Sequence, residues 1–265
     1  MIAMLDGGIE IAYDEVGAGP PLLFIHGWPH NRTLWAAQLS GLPTHARCIA
    51  PDLRGFGGSS VRAPFTIDQY ADDLAALLGV LAIDRAIVCG LSMGGYVALS
   101  LLRRHPSRLR ALILTSTRAT ADAAEARAKR TRLIGFVREH GVEALAGRQL
   151  KAMVGETTFH SRPDVCEALR LLMAGAPEDG VVGALEAMAG RVDSTDLLAA
   201  ITVPTLVVSG NEDTFTLPAE LRALADSIPN ARLEVIQGAG HVCCYERPAA
   251  YNHVVSEFLA SLMYD

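Results

Sequence analysis

The sequence contains no long uninterrupted hydrophobic run, although half of its 265 residues are hydrophobic. Gly, Pro and His break its longest uncharged stretches, and its first residues, MIAMLDGGIEIAYDE, lack the basic head and the apolar run of a signal peptide. We therefore expect a soluble chain that is not exported and has no membrane partner. The hydrophobic content suffices for one large core, with or without an inserted subdomain.

Cysteine is scarce, and its pattern is not that of a structural cross-link. The chain has five cysteines and no C-x-x-C pair, which argues against a disulfide framework and against a zinc site. We expect no bound metal and a reducing, cytoplasmic setting. The five residues are Cys48, Cys89, Cys166, Cys243 and Cys244.

Positive charge is also limited. The 23 Lys and Arg are scattered rather than gathered in a stripe, and the formal net charge is -6. Because binding to a nucleic-acid backbone needs a basic patch, we expect no nucleic-acid partner. The sequence contains no signal for an oligomeric state.

Short apolar runs of strand length recur along the chain. From the second run onward they are continuous rather than alternating, as expected for parallel strands buried on both faces. The predicted strands cover residues 9–13, 21–26, 46–52, 85–90, 110–117, 205–210 and 232–238.

Helical patterns lie between most of these strands, at residues 66–81, 93–104, 217–227 and 248–262. Alternating strands and helices predict a doubly wound, mostly parallel α/β sheet. Residues 118–195 break this rhythm, because Ala, Arg and Glu recur there at helical spacing and almost nothing resembles a strand. We predict a core made of residues 1–117 and 196–265, with a helical insertion at 118–195.

The segment Gly90-Leu91-Ser92-Met93-Gly94 matches the pattern G-x-S-x-G. It lies between a predicted strand and a predicted helix, where a tight turn would expose a serine hydroxyl and small neighbours would relieve the crowding. The N-terminus of the following helix would face the serine oxygen. These features make Ser92 a candidate nucleophile, against the alternative of an ordinary turn residue.

A serine nucleophile needs a base and a group that orients the base. Asp213 follows the strand at 205–210, and His241 follows the strand at 232–238. The chain order Ser92, Asp213, His241 is the one expected on such a sheet, whose carboxyl edge collects ligands and reactive groups. Asp213 could instead only cap the helix from 217, and Glu212 is a weaker candidate for the acid.

Attack on a carbonyl also needs donors for the developing oxyanion. The segment FIHGWPH, at residues 24–30, ends a predicted strand and can aim the backbone N–H of Trp28 at that oxygen, while Met93 supplies the second N–H. His26 is expected to shape this turn by hydrogen bonding rather than to transfer protons.

Five segments in this order, HGWP, PDLRGFGGS, GLSMGG, GNEDTFTLP and GAGHVCCYERP, resemble the α/β-hydrolase superfamily across the whole chain. Within it, the region from Gly90 onward is similar to small bacterial carboxylesterases and enol-lactonases. The resemblance implies a mechanism without a cofactor, through an acyl-enzyme intermediate, in which residues 118–195 form a cap over the acyl pocket. The substrate would be a small ester or lactone.

Serine at the turn argues against the haloalkane dehalogenases and epoxide hydrolases. These families have a similar HGWP-like loop, but they use aspartate as the nucleophile at the turn. Three alternatives remain open: a perhydrolase or cofactor-free haloperoxidase, an aminopeptidase with cap carboxylates for the substrate amine, and a hydrolase-like ligand receptor. The candidate pocket residues are Trp28, Phe136, Met153, Phe159 and Leu172, and the cap carboxylates are Glu125, Glu139, Glu143, Glu156, Glu167 and Glu186.

Overall fold

The computed structural model describes residues 1–262, which form eight strands and eleven α-helices. The strands are β1 (Ile2–Leu5), β2 (Ile9–Val16), β3 (Pro21–Ile25), β4 (Arg47–Pro51), β5 (Ala86–Leu91), β6 (Leu109–Thr115), β7 (Thr205–Gly210) and β8 (Arg232–Ile236). All seven predicted strands are present. The additional strand, β1, has alternating exposure and lies at the edge of the sheet.

The helices before the insertion are α1 (Ala36–Gly41), α2 (Ile67–Val80) and α3 (Met93–Arg104). Those between β6 and β7 are α4 (Ala124–Met153), α5 (Glu156–Ser161), α6 (Pro163–Ala174), α7 (Glu178–Ala189) and α8 (Thr195–Leu198). The last three are α9 (Pro218–Asp226), α10 (Cys243–Glu246) and α11 (Pro248–Ser261). The four helices predicted outside the insertion lie within one residue of these bounds.

The strands form one sheet in the order β1-β2-β4-β3-β5-β6-β7-β8. The β1–β2 and β2–β4 pairs are antiparallel, whereas all neighbours from β4 to β8 are parallel. Every residue of β5 and of β7 is buried, which explains why these strands contain no charged residue. This arrangement confirms the predicted fold class.

Parallel order brings the carboxyl ends of β3, β5, β7 and β8 to one edge of the sheet. The segments after these strands therefore meet in space, although they are far apart along the chain. Between β6 and β7 the described residues form helices and connecting turns without a strand, and α4 packs against α6 and α7. Residues 1–262 include no helix with the length and apolar character that a membrane span requires.

Candidate active site

Ser92 occupies a strained turn between β5 and α3. Its φ of 53° and ψ of -112° lie outside the regions that residues with a side chain prefer. Hydrogen bonds hold this conformation: the Ser92 N–H donates to the Thr115 carbonyl at 2.9 Å, and the Thr117 hydroxyl donates to the Ser92 carbonyl at 2.7 Å. The neighbouring strand thus maintains the backbone strain that the sequence motif predicts.

Two glycines of the motif provide space for this turn. A side-chain carbon on Gly90 would collide with the Gly94 carbonyl, and one on Gly94 would collide with the Ile25 carbonyl of β3. The helix therefore passes so close to β5 and β3 that neither position tolerates a Cβ atom without movement of the backbone.

A continuous hydrogen-bond chain links the three candidate residues. The Ser92 hydroxyl lies 2.8 Å from Nε2 of His241, and Nδ1 of His241 lies 3.0 Å from Oδ2 of Asp213. His241 is 4% exposed and Asp213 is 2% exposed, whereas Ser92 is partly accessible. With the proton on Nδ1 held by Asp213, Nε2 is free to accept the serine proton.

The Asp213 carboxylate is fixed by the loop that follows β7. Its Oδ1 accepts hydrogen bonds from the backbone N–H groups of Phe215 at 2.8 Å and Thr216 at 3.0 Å. Burial alone would raise the pKa of Asp213, but attraction to His241 and these hydrogen bonds outweigh that effect and lower it. Asp213 does not cap α9, whose N-cap position is Leu217.

Glu212, the competing acid, points elsewhere. Its carboxylate accepts hydrogen bonds from the backbone N–H of Thr157 at 2.8 Å and from the Thr157 hydroxyl at 2.5 Å. It therefore ties the loop after β7 to the inserted helices and makes no contact with His241.

The loop after β3 lies directly beside the serine turn. A side-chain carbon on Gly27 would stand 3.4 Å from Cβ of Ser92. Within residues 1–262, the N–H groups of Trp28 and Met93 donate no hydrogen bond to another protein group, so both are available to a ligand oxygen.

His26 has the structural role expected for it. The backbone N–H of Leu53 donates to its Nε2 at 3.0 Å, and its Nδ1 lies 2.9 Å from the Gly27 carbonyl. Both ring nitrogens are thus engaged by the backbone, and complete burial lowers the pKa of His26. The ring remains neutral and stabilises the turn.

A cavity of about 200 Å³ opens above Ser92 and His241. Of the five candidate pocket residues, Trp28 and Met153 line it. Phe136 instead faces a neighbouring groove, where Arg148 stacks on its ring at 4.7 Å, and Phe159 packs against His160. Neither Phe159 nor Leu172 lines the cavity. The remaining lining residues are Tyr96, Arg118, Asp122, Ala126, Lys129, Arg130, Leu133, Gln149, Met188, Phe215 and Thr216.

Sequence reasoning missed most of these residues because it selected large apolar side chains, whereas much of the lining is polar or charged. Several lining positions recur at helical spacing along α4, namely Ala126, Lys129, Arg130, Leu133 and Gln149. That spacing could have identified a helix face, but it cannot show which face of an inserted helix turns toward the sheet.

None of the six glutamates considered above for a substrate amine lines the cavity, and several form surface ion pairs. Glu167 and Glu143 contact Arg170 at 2.8 and 3.4 Å, and Glu156 contacts His160 at 2.8 Å. Among the described residues, Asp122 is the only carboxylate that lines the cavity, and arginines hold it. This placement offers no carboxylate for a substrate amine.

The five cysteines are buried and free. Cys243 and Cys244 begin α10, two residues after His241, and both are fully buried. Burial raises the pKa of both thiols, so they remain protonated and pack as small apolar side chains.

Glu246 is a buried carboxylate that sequence reasoning overlooked. It accepts hydrogen bonds from the backbone N–H of Gly240, next to His241, and from that of Gly155 in the insertion, both at 2.8 Å. Burial raises the pKa of Glu246, although the hydrogen bonds that it accepts oppose this shift. A single side chain therefore joins the histidine loop to the segment between α4 and α5.

The strained serine at the end of a central strand has the geometry of the nucleophile turn found in hydrolases built on a doubly wound sheet. The chain belongs to the alpha/beta hydrolase fold family, whose sequence model matches residues 20–248. The family resemblance noted in the sequence is confirmed.

Individual relatives agree with this assignment over nearly their full lengths. A thermophilic esterase from Thermogutta terrifontis is 39% identical, with a TM-score of 0.96 and 99% of each chain covered. An enol-lactonase from Burkholderia xenovorans is 30% identical, with a TM-score of 0.89. The match covers 98% of this chain and 100% of that chain. 3-oxoadipate enol-lactonase 2 of Acinetobacter baylyi is 32% identical over 237 residues, which are 89% of this chain and 87% of that protein.

Proposed function

We propose that the protein is a serine hydrolase that cleaves small carboxylic esters or lactones through an acyl-enzyme intermediate. The observation that carries this proposal is the hydrogen-bond chain from Ser92 through His241 to Asp213, which opens into a cavity of about 200 Å³. The esterase and enol-lactonase relatives support the same reaction class.

In the proposed mechanism, the Ser92 oxygen attacks the substrate carbonyl while Nε2 of His241 takes its proton. Asp213 stabilises the imidazolium that forms. The N–H groups of Trp28 and Met93 hold the oxyanion, where each donor is worth roughly 2.7–4 kcal/mol of transition-state stabilisation. His241 then protonates the leaving alkoxide, which departs from an ester but stays attached to the acyl group of a lactone. Water attacks the acyl-enzyme by the same route.

We also propose that residues 118–195 act as a cap on a core made of residues 1–117 and 196–265. Nine of the fifteen described residues that line the cavity belong to this insertion, from Arg118 to Met188. The cap would set acyl-chain preference, and the five free thiols support a cytoplasmic location.

The proposed function is tested with a panel of p-nitrophenyl esters of increasing acyl length and a parallel panel of lactones. We expect a burst of one p-nitrophenol per protein, followed by steady turnover that favours short acyl chains, because the cavity is small. A fluorophosphonate probe should label Ser92 stoichiometrically. Absence of both labelling and burst would instead support a ligand receptor, and faster acyl transfer to peroxide than to water would support a perhydrolase.

Glu246→Gln is expected to lower kcat for p-nitrophenyl acetate by about tenfold, since displacement of the His241 loop by a fraction of an ångström disturbs proton transfer. The amide would turn a donor toward one of the two backbone N–H groups, which costs about 1–3 kcal/mol of unfolding free energy. Steady-state kinetics and urea denaturation measure the two effects.

Glu257→Gln is the matched control, because Glu257 forms an exposed ion pair with Arg232 at 2.8 Å. If Glu246→Gln lost stability but kept its kcat, the role of Glu246 would be structural only.

A further inference from the structure

The cavity above Ser92 is positively charged, although the chain as a whole has a formal net charge of -6. Three cationic side chains line it, those of Arg118, Lys129 and Arg130. Within residues 1–262, one carboxylate lines it, that of Asp122. A cleft that concentrates one sign of charge, against the net charge of the protein, attracts ligands of the opposite sign.

Asp122 cannot neutralise the cations around it. Its side chain is 3% exposed and is shared by two guanidinium groups: Arg130 contacts it through Nε, and Arg191 donates to it at 2.6 Å. Burial alone would raise the pKa of Asp122, but the two arginines outweigh burial and lower it. One carboxylate against two guanidinium groups leaves a positive charge without a partner.

The two arginines differ in the partners of their guanidinium nitrogens. Arg191 also donates to the carbonyls of Met188 at 2.8 Å and Thr120 at 2.7 Å, and it stacks on Tyr96. Arg130 directs Nη1 only at the sulfur of Met188, at 3.4 Å, and a thioether is a weak acceptor. Arg130, which lines the cavity, therefore keeps a guanidinium nitrogen that has only a weak acceptor.

Arg118 has spare donors close to His241. Its Nη2 donates to the Phe215 carbonyl at 2.5 Å and contacts Glu220 at 3.2 Å. Its Nε is buried and has no acceptor among residues 1–262. Nη1 of Arg118 makes no hydrogen bond to the described residues and is not buried, so it is the donor left for a ligand oxygen. The Phe215 ring lies 5.0 Å from the His241 ring, which brings Arg118 near the reacting groups.

Lys129 contributes a third charge at the mouth of the cavity. The residue is exposed, and within the described chain no carboxylate approaches its ammonium group to 4.0 Å. It also borders the groove that contains Phe136, so it stands where a ligand enters.

We infer that Arg118, Lys129 and Arg130 form an anion subsite and that the substrate is a short ester carrying a free carboxylate, such as the half-ester of a small dicarboxylic acid. This inference rests on the proposed esterase function and specifies its substrate class. At roughly 30 Å³ for a water-sized group, a cavity of about 200 Å³ holds about seven such groups. The ester carbonyl binds at Ser92, and the carboxylate accepts hydrogen bonds from the guanidinium groups.

The test compares monomethyl glutarate with methyl 4-carbamoylbutanoate, which has the same shape but carries a neutral amide in place of the carboxylate. We expect kcat/KM for the half-ester to exceed that for the amide ester by about tenfold or more, the usual value of a charge-assisted hydrogen bond. Added NaCl should reduce this ratio, because salt screens the cations at the mouth of the cavity.

Lys129→Gln and Arg118→Gln should each lower the ratio severalfold, and Arg118→Lys should restore part of it. Lys129 is exposed, so its replacement tests the subsite without risk to folding. Arg127→Gln removes a positive charge from an exposed position of α4 outside the cavity and is the matched control.

A half-ester to amide-ester ratio of kcat/KM near one would overturn the anion subsite. So would a decrease of this ratio in Arg127→Gln as large as that in Lys129→Gln. In either case, turnover of p-nitrophenyl acetate would leave the proposed function intact. Absence of turnover for every ester, including p-nitrophenyl acetate, overturns the proposed function and the subsite with it.

Discussion

Ser92→Ala is expected to lower kcat for p-nitrophenyl acetate by about 10,000-fold or more and to abolish the burst of p-nitrophenol, because the hydroxyl that is hydrogen-bonded to Nε2 of His241 is lost. The fold should survive. The backbone hydrogen bonds that hold the turn, to the Thr115 carbonyl and from the Thr117 hydroxyl, use main-chain atoms of residue 92 that alanine retains. Unfolding free energy should therefore change by no more than about 1 kcal/mol.

Stopped-flow measurement of the burst, combined with urea denaturation, separates loss of chemistry from loss of structure. Ser100→Ala is a matched control on α3, the helix that follows Ser92, since the Ser100 hydroxyl donates to Asp68 at 2.7 Å, away from the cavity. A burst of undiminished amplitude in Ser92→Ala would refute Ser92 as the nucleophile, whatever the effect of the control.

Asp213→Asn is expected to lower kcat by about 10,000-fold at neutral pH with little change in KM. The asparagine oxygen can still accept the N–H groups of Phe215 and Thr216, which leaves its NH₂ group facing Nδ1 of His241. Nδ1 must then accept rather than donate, so the proton moves to Nε2. An imidazole protonated at Nε2 cannot take the proton of Ser92.

The neighbouring acid supplies the control for this substitution. Glu212→Gln changes a carboxylate one residue away that contacts Thr157 and not His241, so kcat should fall by no more than about threefold, in line with a peripheral hydrogen bond. If Glu212→Gln were as damaging as Asp213→Asn, the assignment of the acid would fail. Steady-state kinetics of the two purified variants with one ester decide between the two residues.

The strands of the central sheet were predictable because burial on both faces excludes charged residues from their sequences. β5 and β7 are entirely buried, and their sequences are entirely uncharged. β1 was not predictable in this way. It is four residues long, alternates between exposed and buried positions, and gains its strand conformation by pairing with β2.

The lining of the cavity depends on contacts distant in sequence. Phe136 and Met153 both belong to α4, yet only Met153 faces Ser92, because α4 is interrupted at Gly141, where φ is 78°, and is oriented by its packing on α6 and α7. Glu246 was equally hidden, since its partners Gly240 and Gly155 are brought together only by folding.

The sequence by itself determined the strand order along the chain, the glycine-flanked turn at Ser92 and the positions of Asp213 and His241 after their strands. Each of these follows from local properties: apolar runs, tight turns and the alternation of strand with helix. Only the tertiary structure decided which side chains surround Ser92, because helix orientation and the meeting of loops depend on packing across the sheet. The shared Asp122 and the charged lining around it belong to that second group.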